Sequence, residues 1–330
     1  MSPCPTVVLC TRNRPALLAR CLDAVLQLKF PRFDVLVVDN ASDDGSTAAV
    51  AAQKGVRCIS EPRVGLNRAR NTGARACESE VVAYLDDDAV PHPSWLSAIL
   101  EPFEDAQVMA VAGRILPPSV ETEAEKYCAD YWRHDLGLQP RSVDPQVPNW
   151  FELTNFGGVG IGANMAFRRA AFSEGGVFNE RLDRGTPLFG FGEHYAFFSL
   201  VHRGHRVIYA PEATALHPYP ASMELLRDRH LNDLTSSAGY LLFLLLEHPH
   251  YRIATLRFIA RGLRKGPLDW KRIHRPPRPR LVPRWQASMA LVKGLLRYLQ
   301  SLAVPSRKSG RPAPFPAQSS TECLLVPPKQ

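Results

Sequence analysis

Residues 81–91 read VVAYLDDDAVP, five apolar residues running into Asp86, Asp87 and Asp88. A short apolar, β-branched run of this kind reads as a buried strand. Three adjacent carboxylates at its end repel one another, so their placement has two readings. One is a solvated acidic loop. The other is a divalent-cation site, because hard oxygen ligands suit Mg²⁺ or Mn²⁺, and a cation with a bound diphosphate offsets the repulsion.

Upstream of this segment the same pattern recurs. TVVLC at 6–10, FDVLVVDN at 33–40 and VRCIS at 56–60 read as strands, and stretches with helical spacing separate them. After the first strand, Asn13 is a possible helix cap and Pro15 suits a first helical turn. Leu17, Leu18, Cys21, Leu22, Val25 and Leu26 then recur at helical spacing. Strand and helix in this alternation imply parallel strands joined by right-handed crossovers. Strands that are apolar without alternation imply a sheet covered on both faces. In such sheets ligands bind beyond the carboxyl ends of the strands, and Thr11, Asp39 and Asp86–Asp88 all fall there. Further on, VMAVAG at 108–113 reads as a strand, GGVGIGANMAFRRAAF at 157–172 as glycine-rich and then helical, and RVIYAP as a late strand. Residues 222–265 read as helical, 272–284 as a proline-broken linker and 284–302 as an amphipathic helix.

Composition bounds the rest. The chain has 330 residues, 45% of them hydrophobic, enough for one large domain plus an extension. No apolar run reaches membrane-spanning length, and no secretory signal is visible at the start. Seven cysteines without a C-x-x-C pair argue against a disulfide framework or a structural zinc, and for a reducing cytoplasm. The net charge of +8 is uneven: residues 252–311 hold sixteen Lys and Arg against one acid, Asp269, so they carry +15 and the rest of the chain −7. The basic charge therefore concerns a different partner from the carboxylates.

Five segments in order, TVVLCTRNRPALLARCLDAVL, VLVVDNASDDGST, GLNRARNTGA, YLDDDAVPHPSWL and GANMAFRRAAFSEGGVFNERL, resemble the family 2 glycosyltransferases, inverting enzymes with the GT-A fold. The resemblance runs from residue 5 to about 217, roughly two thirds of the chain. It implies an α/β, Rossmann-like, mostly parallel sheet with helices on both faces, here followed by a C-terminal helical basic extension. The boundaries read as 1–221 for the GT-A domain, 222–302 for the extension and 303–330 for a disordered tail. It also implies a nucleoside-diphosphate-sugar donor, with UDP the expected nucleotide, and a divalent cation, Mn²⁺ or Mg²⁺. Carried over residue by residue, Thr11 and Arg12 line the nucleotide pocket, Asp39 accepts a hydrogen bond from the base, and Arg68 and Arg70 approach the base or the phosphates. Asp86 lies near the ribose, Asp87 is the middle residue, and Asp88 is the metal ligand of the D-x-D motif. Asn164 points into the acceptor side. Simpler readings stand beside these: Asp39 as a helix cap, Arg68 and Arg70 as surface arginines.

Inverting transfer needs one general base to take the acceptor hydroxyl's proton. In the resembling family it lies in a GED-x-D-L stretch, and residues 190–213 correspond. Glu193 matches the glutamate and is the first choice. His194 stands where an aspartate is common and is the second, since imidazole titrates near neutral pH. His217, after the late strand, is a further metal ligand on the same resemblance, or a structural histidine. In the extension, Ile253, Leu256, Ile259, Ala260 and Leu263 share one helical face among arginines. That pattern fits an anionic membrane surface reached through residues 251–300, on the inner face of the membrane, or a helix packed on the catalytic domain. The first reading would serve a lipid-linked acceptor; the expected acceptor is a hydroxyl of a glycan or of such a lipid-linked molecule. Nucleic acid is not expected, because no aromatics interleave with the basic run. Two rival functions are a nucleotide-sugar-binding relative without a base, and a basic membrane or nucleic-acid adaptor on an α/β scaffold.

Overall fold

The computed structural model describes residues 4–132, 134–173, 177–265 and 279–303. The first half alternates as β1 (Thr6–Thr11), α1 (Pro15–Val25), β2 (Asp34–Asn40), α2 (Ser46–Gln53), β3 (Arg57–Glu61), α3 (Leu66–Arg75) and β4 (Val81–Asp86). Strands β3, β2, β1 and β4 are neighbours in that order and all parallel. Consecutive residues of β1 serve two cores. Val7 and Leu9 pack with Leu18, Leu22 and Val25 of α1 on one face, while Val8 and Cys10 pack with Ala69 of α3 on the other. Burial on both faces is why these strands show no polar alternation.

The second half adds β5 (Val90–Pro91), α4 (Trp95–Leu100), β6 (Val108–Leu116), α5 (Glu123–Tyr131), β7 (Arg141–Val143), α6 (Trp150–Asn155), β8 (Asn164–Arg168), α7 (Gly192–His202) and β9 (Arg206–Leu216). The sheet continues from β4 through β8, β6 and β9 to β5, with β7 on β9. Here β8 runs antiparallel to both β4 and β6, so the sheet is mixed but mostly parallel in its first half. Two local readings need correction. The helical part expected within 157–172 does not form as such: residues 164–168 are a strand, followed by a short 3₁₀ turn over Arg169–Phe172. Met165, Ala166 and Phe167 are fully buried between β4 and β6, and tertiary burial on both faces overrides helix propensity. Asn13, expected as a helix cap, is not one. It adopts a left-handed φ of 55°, and its side chain donates to Asp43 Oδ2 at 2.6 Å. It thus ties the loop after β1 to the loop after β2.

The paired strands β6 and β9 slip register between Gly113 and Arg114, leaving a bulge in β9 around residues 211–213. Asn164 pins that bulge, donating to Arg114 O at 3.0 Å and Ala213 O at 2.8 Å. An added Cβ on Gly113 would overlap both the Ala213 carbonyl oxygen and the Asn164 amide. Backbone cannot yield there, so Gly113→Ala is expected to lower stability by about 2–3 kcal/mol, read as a lower urea midpoint at unchanged slope.

The chain then forms α8 (Met223–Glu247), α9 (Arg252–Lys265) and α10 (Arg284–Leu302). Phe151, Leu182, Leu188 and Phe198 share a core with Tyr240, Phe243, Leu244 and Tyr298, so α8 and α10 are packed into the sheet domain. The face expected to be apolar on α9 is rotated. Thr255 is buried and Phe258 stacks on Phe156, whereas Ile253 and Leu256 are more than half exposed. The side chain of Leu263 lies outside the described residues. So do residues 266–278, which hold most of the expected linker, and 304–330, most of the expected tail. The cysteines of the described residues are free thiols.

Candidate active site

The three aspartates point two ways. Asp87 turns inward and is only 4% exposed. It accepts hydrogen bonds from Thr11 Oγ1 at 2.6 Å and Arg14 Nη1 at 3.2 Å. Burial pushes its carboxyl above the usual range, against the pull of Thr11 and Arg14. Asp86 and Asp88 turn outward instead, toward His217 beyond the end of β9. His217 Nε2 lies 3.1 Å from Asp88 Oδ1 and 3.9 Å from Asp86 Oδ2. One ligand atom from each of the three lies within 4.8 Å of the others. Burial works to raise the Asp88 carboxyl, but His217 and then Arg14 bring it below the usual range. Burial works to lower His217, and the Asp88 and Asp86 carboxylates raise it.

This trio fits a divalent cation. Asp88 Oδ1 is buried and accepts no well-directed hydrogen bond, despite the nearby imidazole. Two carboxylates and one imidazole are a donor set suited to Mn²⁺ and tolerable to Mg²⁺. A backbone bond from His217 N to Leu116 O at 2.8 Å fixes the imidazole's strand.

A further carboxylate, that of Glu193, stands beside the trio. Arg70, on α3 and 4% exposed, donates to Gly162 O at 2.9 Å and to Asp86 Oδ1 at 3.3 Å. A Cβ on Gly162 would lie 2.9 Å from Arg70 Nη2 and 3.3 Å from Glu193 Cδ, so the missing side chain lets guanidinium and carboxyl approach. Glu193 sits in the first turn of α7, where the helix dipole favours negative charge. The entry to that helix is tight: Phe191 takes a left-handed φ of 67°, and a Cβ on Gly192 would overlap the Asn67 amide. Burial alone would raise the Glu193 carboxyl, yet His194 and Arg70 hold it well below the usual range. His194 Nδ1 lies 3.5 Å from Glu193 Oε1, and the Glu193 side chain remains 23% exposed.

The other expected site residues are distributed unevenly. Arg12 is half-exposed, 4.0 Å from Asp43. Asp39, at the end of β2, accepts the backbone N–H of Ser42 at 3.2 Å, short of the α2 terminus, and so does not cap that helix. Arg68 faces away from the aspartates and pairs with Glu180 at 3.3 Å. Asn164 does not point into the acceptor side. It is fully buried, accepts Trp95 Nε1–H at 2.7 Å, and uses its amide hydrogens on the β9 bulge. Arg70 is no surface arginine.

Two residues that organise the site were not anticipated. Arg14 reaches Asp87 at 3.2 Å and Asp88 at 3.5 Å. Its only signal was a second cation in TRNRP, two residues after Arg12. Asp183 accepts the backbone N–H groups of Asn67 at 2.9 Å and Arg68 at 3.2 Å, closing the N-terminus of α3 from a segment over a hundred residues away. Burial pushes its carboxyl up to about 6, against those two bonds. No local pattern marks it.

The model for the family described as "Glycosyl transferase family 2" matches residues 6–176, just over half of the chain. A "Pre-mycofactocin glycosyltransferase" of Mycobacterium tuberculosis is 28% identical over 223 residues, covering 65% of this chain and 42% of that protein. "Glycosyltransferase AglE" of Haloferax volcanii is 32% identical over 135 residues, covering 38% of this chain and 44% of that one. The chain thus spans about two fifths of the length of these curated relatives. Among solved structures, a mannosyltransferase from Pyrobaculum calidifontis, in complex with GDP-Man and Mn²⁺, superposes with a TM-score of 0.54 at 19% identity, over 93% of this chain and 77% of that one. That likeness is one of fold, a GT-A glycosyltransferase architecture. The chain belongs to glycosyl transferase family 2.

Proposed function

We propose that this family 2 glycosyltransferase moves a sugar, with inversion, from a nucleoside-diphosphate donor to a hydroxyl of a glycan or lipid-linked acceptor, using Mn²⁺ or Mg²⁺. The observation that carries the reading is one juxtaposition: Asp86, Asp88 and His217 converge at the sheet edge, and a single buried guanidinium, Arg70, separates them from the Glu193 carboxylate.

Asp86, Asp88 and His217 would hold the cation, which when bound stabilises negative charge on the departing diphosphate. Thr11, Arg12 and Asp39 stand at the strand ends where the nucleotide would lie, and Arg68 joins them only by releasing Glu180. Arg14 and Thr11 hold Asp87 inward and so fix the turn that aims its neighbours. Glu193, ionised at neutral pH, accepts the acceptor hydroxyl's proton as that oxygen bonds to the anomeric carbon and the bond to the diphosphate breaks. Inversion follows because attack and departure are on opposite faces of the sugar. Residues 1–221 form the transferase part in this reading, and 222–302 the extension. UDP is the expected donor nucleotide, and the GDP-Man bound to the Pyrobaculum mannosyltransferase makes GDP its main rival.

A thermal-shift panel tests the donor half directly. UDP-, GDP- and dTDP-sugars, each with and without Mn²⁺, are expected to separate into one donor class that raises the melt only with metal, since ligand bound to the folded state stabilises it by mass action. No shift from any nucleotide sugar with metal present would sink the reading.

A further inference from the structure

The helix α10 is apolar on two opposite sides. Its inner side, with Ala290, Gly294, Tyr298 and Ser301, is buried against α8, so closely that a Cβ on Gly294 would overlap the Thr235 carbonyl oxygen. Its outer side presents Trp285, Met289, Val292, Leu296, Leu299 and Leu302, each more than half exposed. Those positions lie within one arc of a helical wheel, opposite the buried arc, along a helix about 28 Å long. Scattered exposed hydrophobics need no explanation, but a continuous stripe of this size marks an interaction surface.

Charge identifies the occupant. Residues 279–303 contain Arg280, Arg284, Lys293 and Arg297 and no acid. A second copy docking across a two-fold axis would bring these cations against their own equivalents. An anionic lipid surface accepts both the apolar stripe and the positive flank. Among the described residues no helix is long and apolar enough to cross a membrane. The helix would therefore lie in the plane of the interface.

We propose that the outer face of α10 docks the protein onto an anionic lipid bilayer. The placement matters for the site. Arg297 stacks over the Phe189 ring at 6.0 Å, and the Phe189 carbonyl accepts Ser236 Oγ at 3.0 Å. Phe189 begins the turn that continues through Phe191 into Gly192 and Glu193. A bilayer seated on α10 thus lies beside the segment that delivers Glu193, where an acceptor carried in the membrane would present its hydroxyl. The docking itself rests on the α10 surface and stands apart from the sugar-transfer reading.

The test is co-sedimentation of the full chain with vesicles of phosphatidylcholine alone and of phosphatidylcholine mixed equally with phosphatidylglycerol. The wild type is expected to pellet with the mixed vesicles and stay in solution with the neutral ones. Val292→Gln/Leu296→Gln/Leu299→Gln is expected to cut the pelleted fraction about tenfold, with an unchanged melt and an unchanged metal-dependent donor shift. Should that variant fail to fold, Arg284→Glu/Lys293→Glu serves instead, with the same expected loss. Pelleting that survives these substitutions, or a wild type that ignores anionic vesicles, overturns the proposal. So does a wild-type dimer that the glutamine variant converts to monomer without any vesicle binding, which would assign the face to a second copy. A donor shift that persists while docking fails leaves the transfer reading standing, and the reverse result leaves the docking.

Discussion

Asp88→Asn is expected to abolish Mn²⁺ binding in calorimetry and to lower turnover about a thousandfold, equivalent to about 4 kcal/mol of transition-state stabilisation. The substitution keeps the shape of the side chain and removes its charge, so the fold has little reason to change. What it removes is specific. Asp88 contributes the buried oxygen that accepts no well-directed hydrogen bond, 3.1 Å from His217 Nε2. Loss of that charge leaves one carboxylate and one imidazole, too weak a set to hold a divalent cation at working concentrations. Asp87→Asn makes the instructive contrast. Its carboxylate is bonded to Thr11 and Arg14 and faces the interior, so the expected loss there is in the melt before it is in metal affinity. Unaltered Mn²⁺ affinity in Asp88→Asn would remove the metal site from the account, and the two-way split of the triplet with it.

Glu193→Gln is expected to lower kcat about a thousandfold while leaving the donor KM near its wild-type value, the pattern of an interaction made only in the transition state. Glutamine preserves the first turn of α7 and the contact with Gly162 but cannot take a proton. His194→Gln is expected to cost less than about tenfold, because His194 only flanks Glu193, with Nδ1 3.5 Å from Oε1, and because Arg70 continues to hold Glu193 ionised. The reverse order, with His194→Gln the severe variant, would move the base to the imidazole. Equal and full activity in both would favour a relative that binds nucleotide sugars without transferring them.

The two variants also show how unevenly the site was legible. Asp86 and Asp88 were visible because a carboxylate run at the end of an apolar strand is anomalous in itself, and the rhythm of the chain placed that end at a ligand-binding edge. His217 was visible only by likeness, since a lone histidine after a strand has many uses. Arg70 was named beside Arg68, and sequence offered no means to separate them. In the fold they differ by two positions on α3, enough to point one guanidinium at Asp86 and the other at Glu180. Asn164 was misplaced for a related reason. Its acceptor-side role came only from the family resemblance, and β8 inserts between β4 and β6 and buries it. Asp183 had no local signature, because its partners are backbone amides 116 and 115 residues earlier in the chain.

The order of strands and helices through β4, the two-faced burial of those strands and the edge at which polar residues gather were set by local sequence. Hydrophobic periodicity and strand length depend on neighbours only a few residues apart. Beyond β4, direction and partnership were decided by tertiary structure. The antiparallel course of β8, the inward turn of Asp87, the approach of Glu193 to Arg70 past Gly162 and the outward face of α10 each depend on contacts between segments distant in sequence. Burial against those segments, and not propensity, fixes which way a side chain faces.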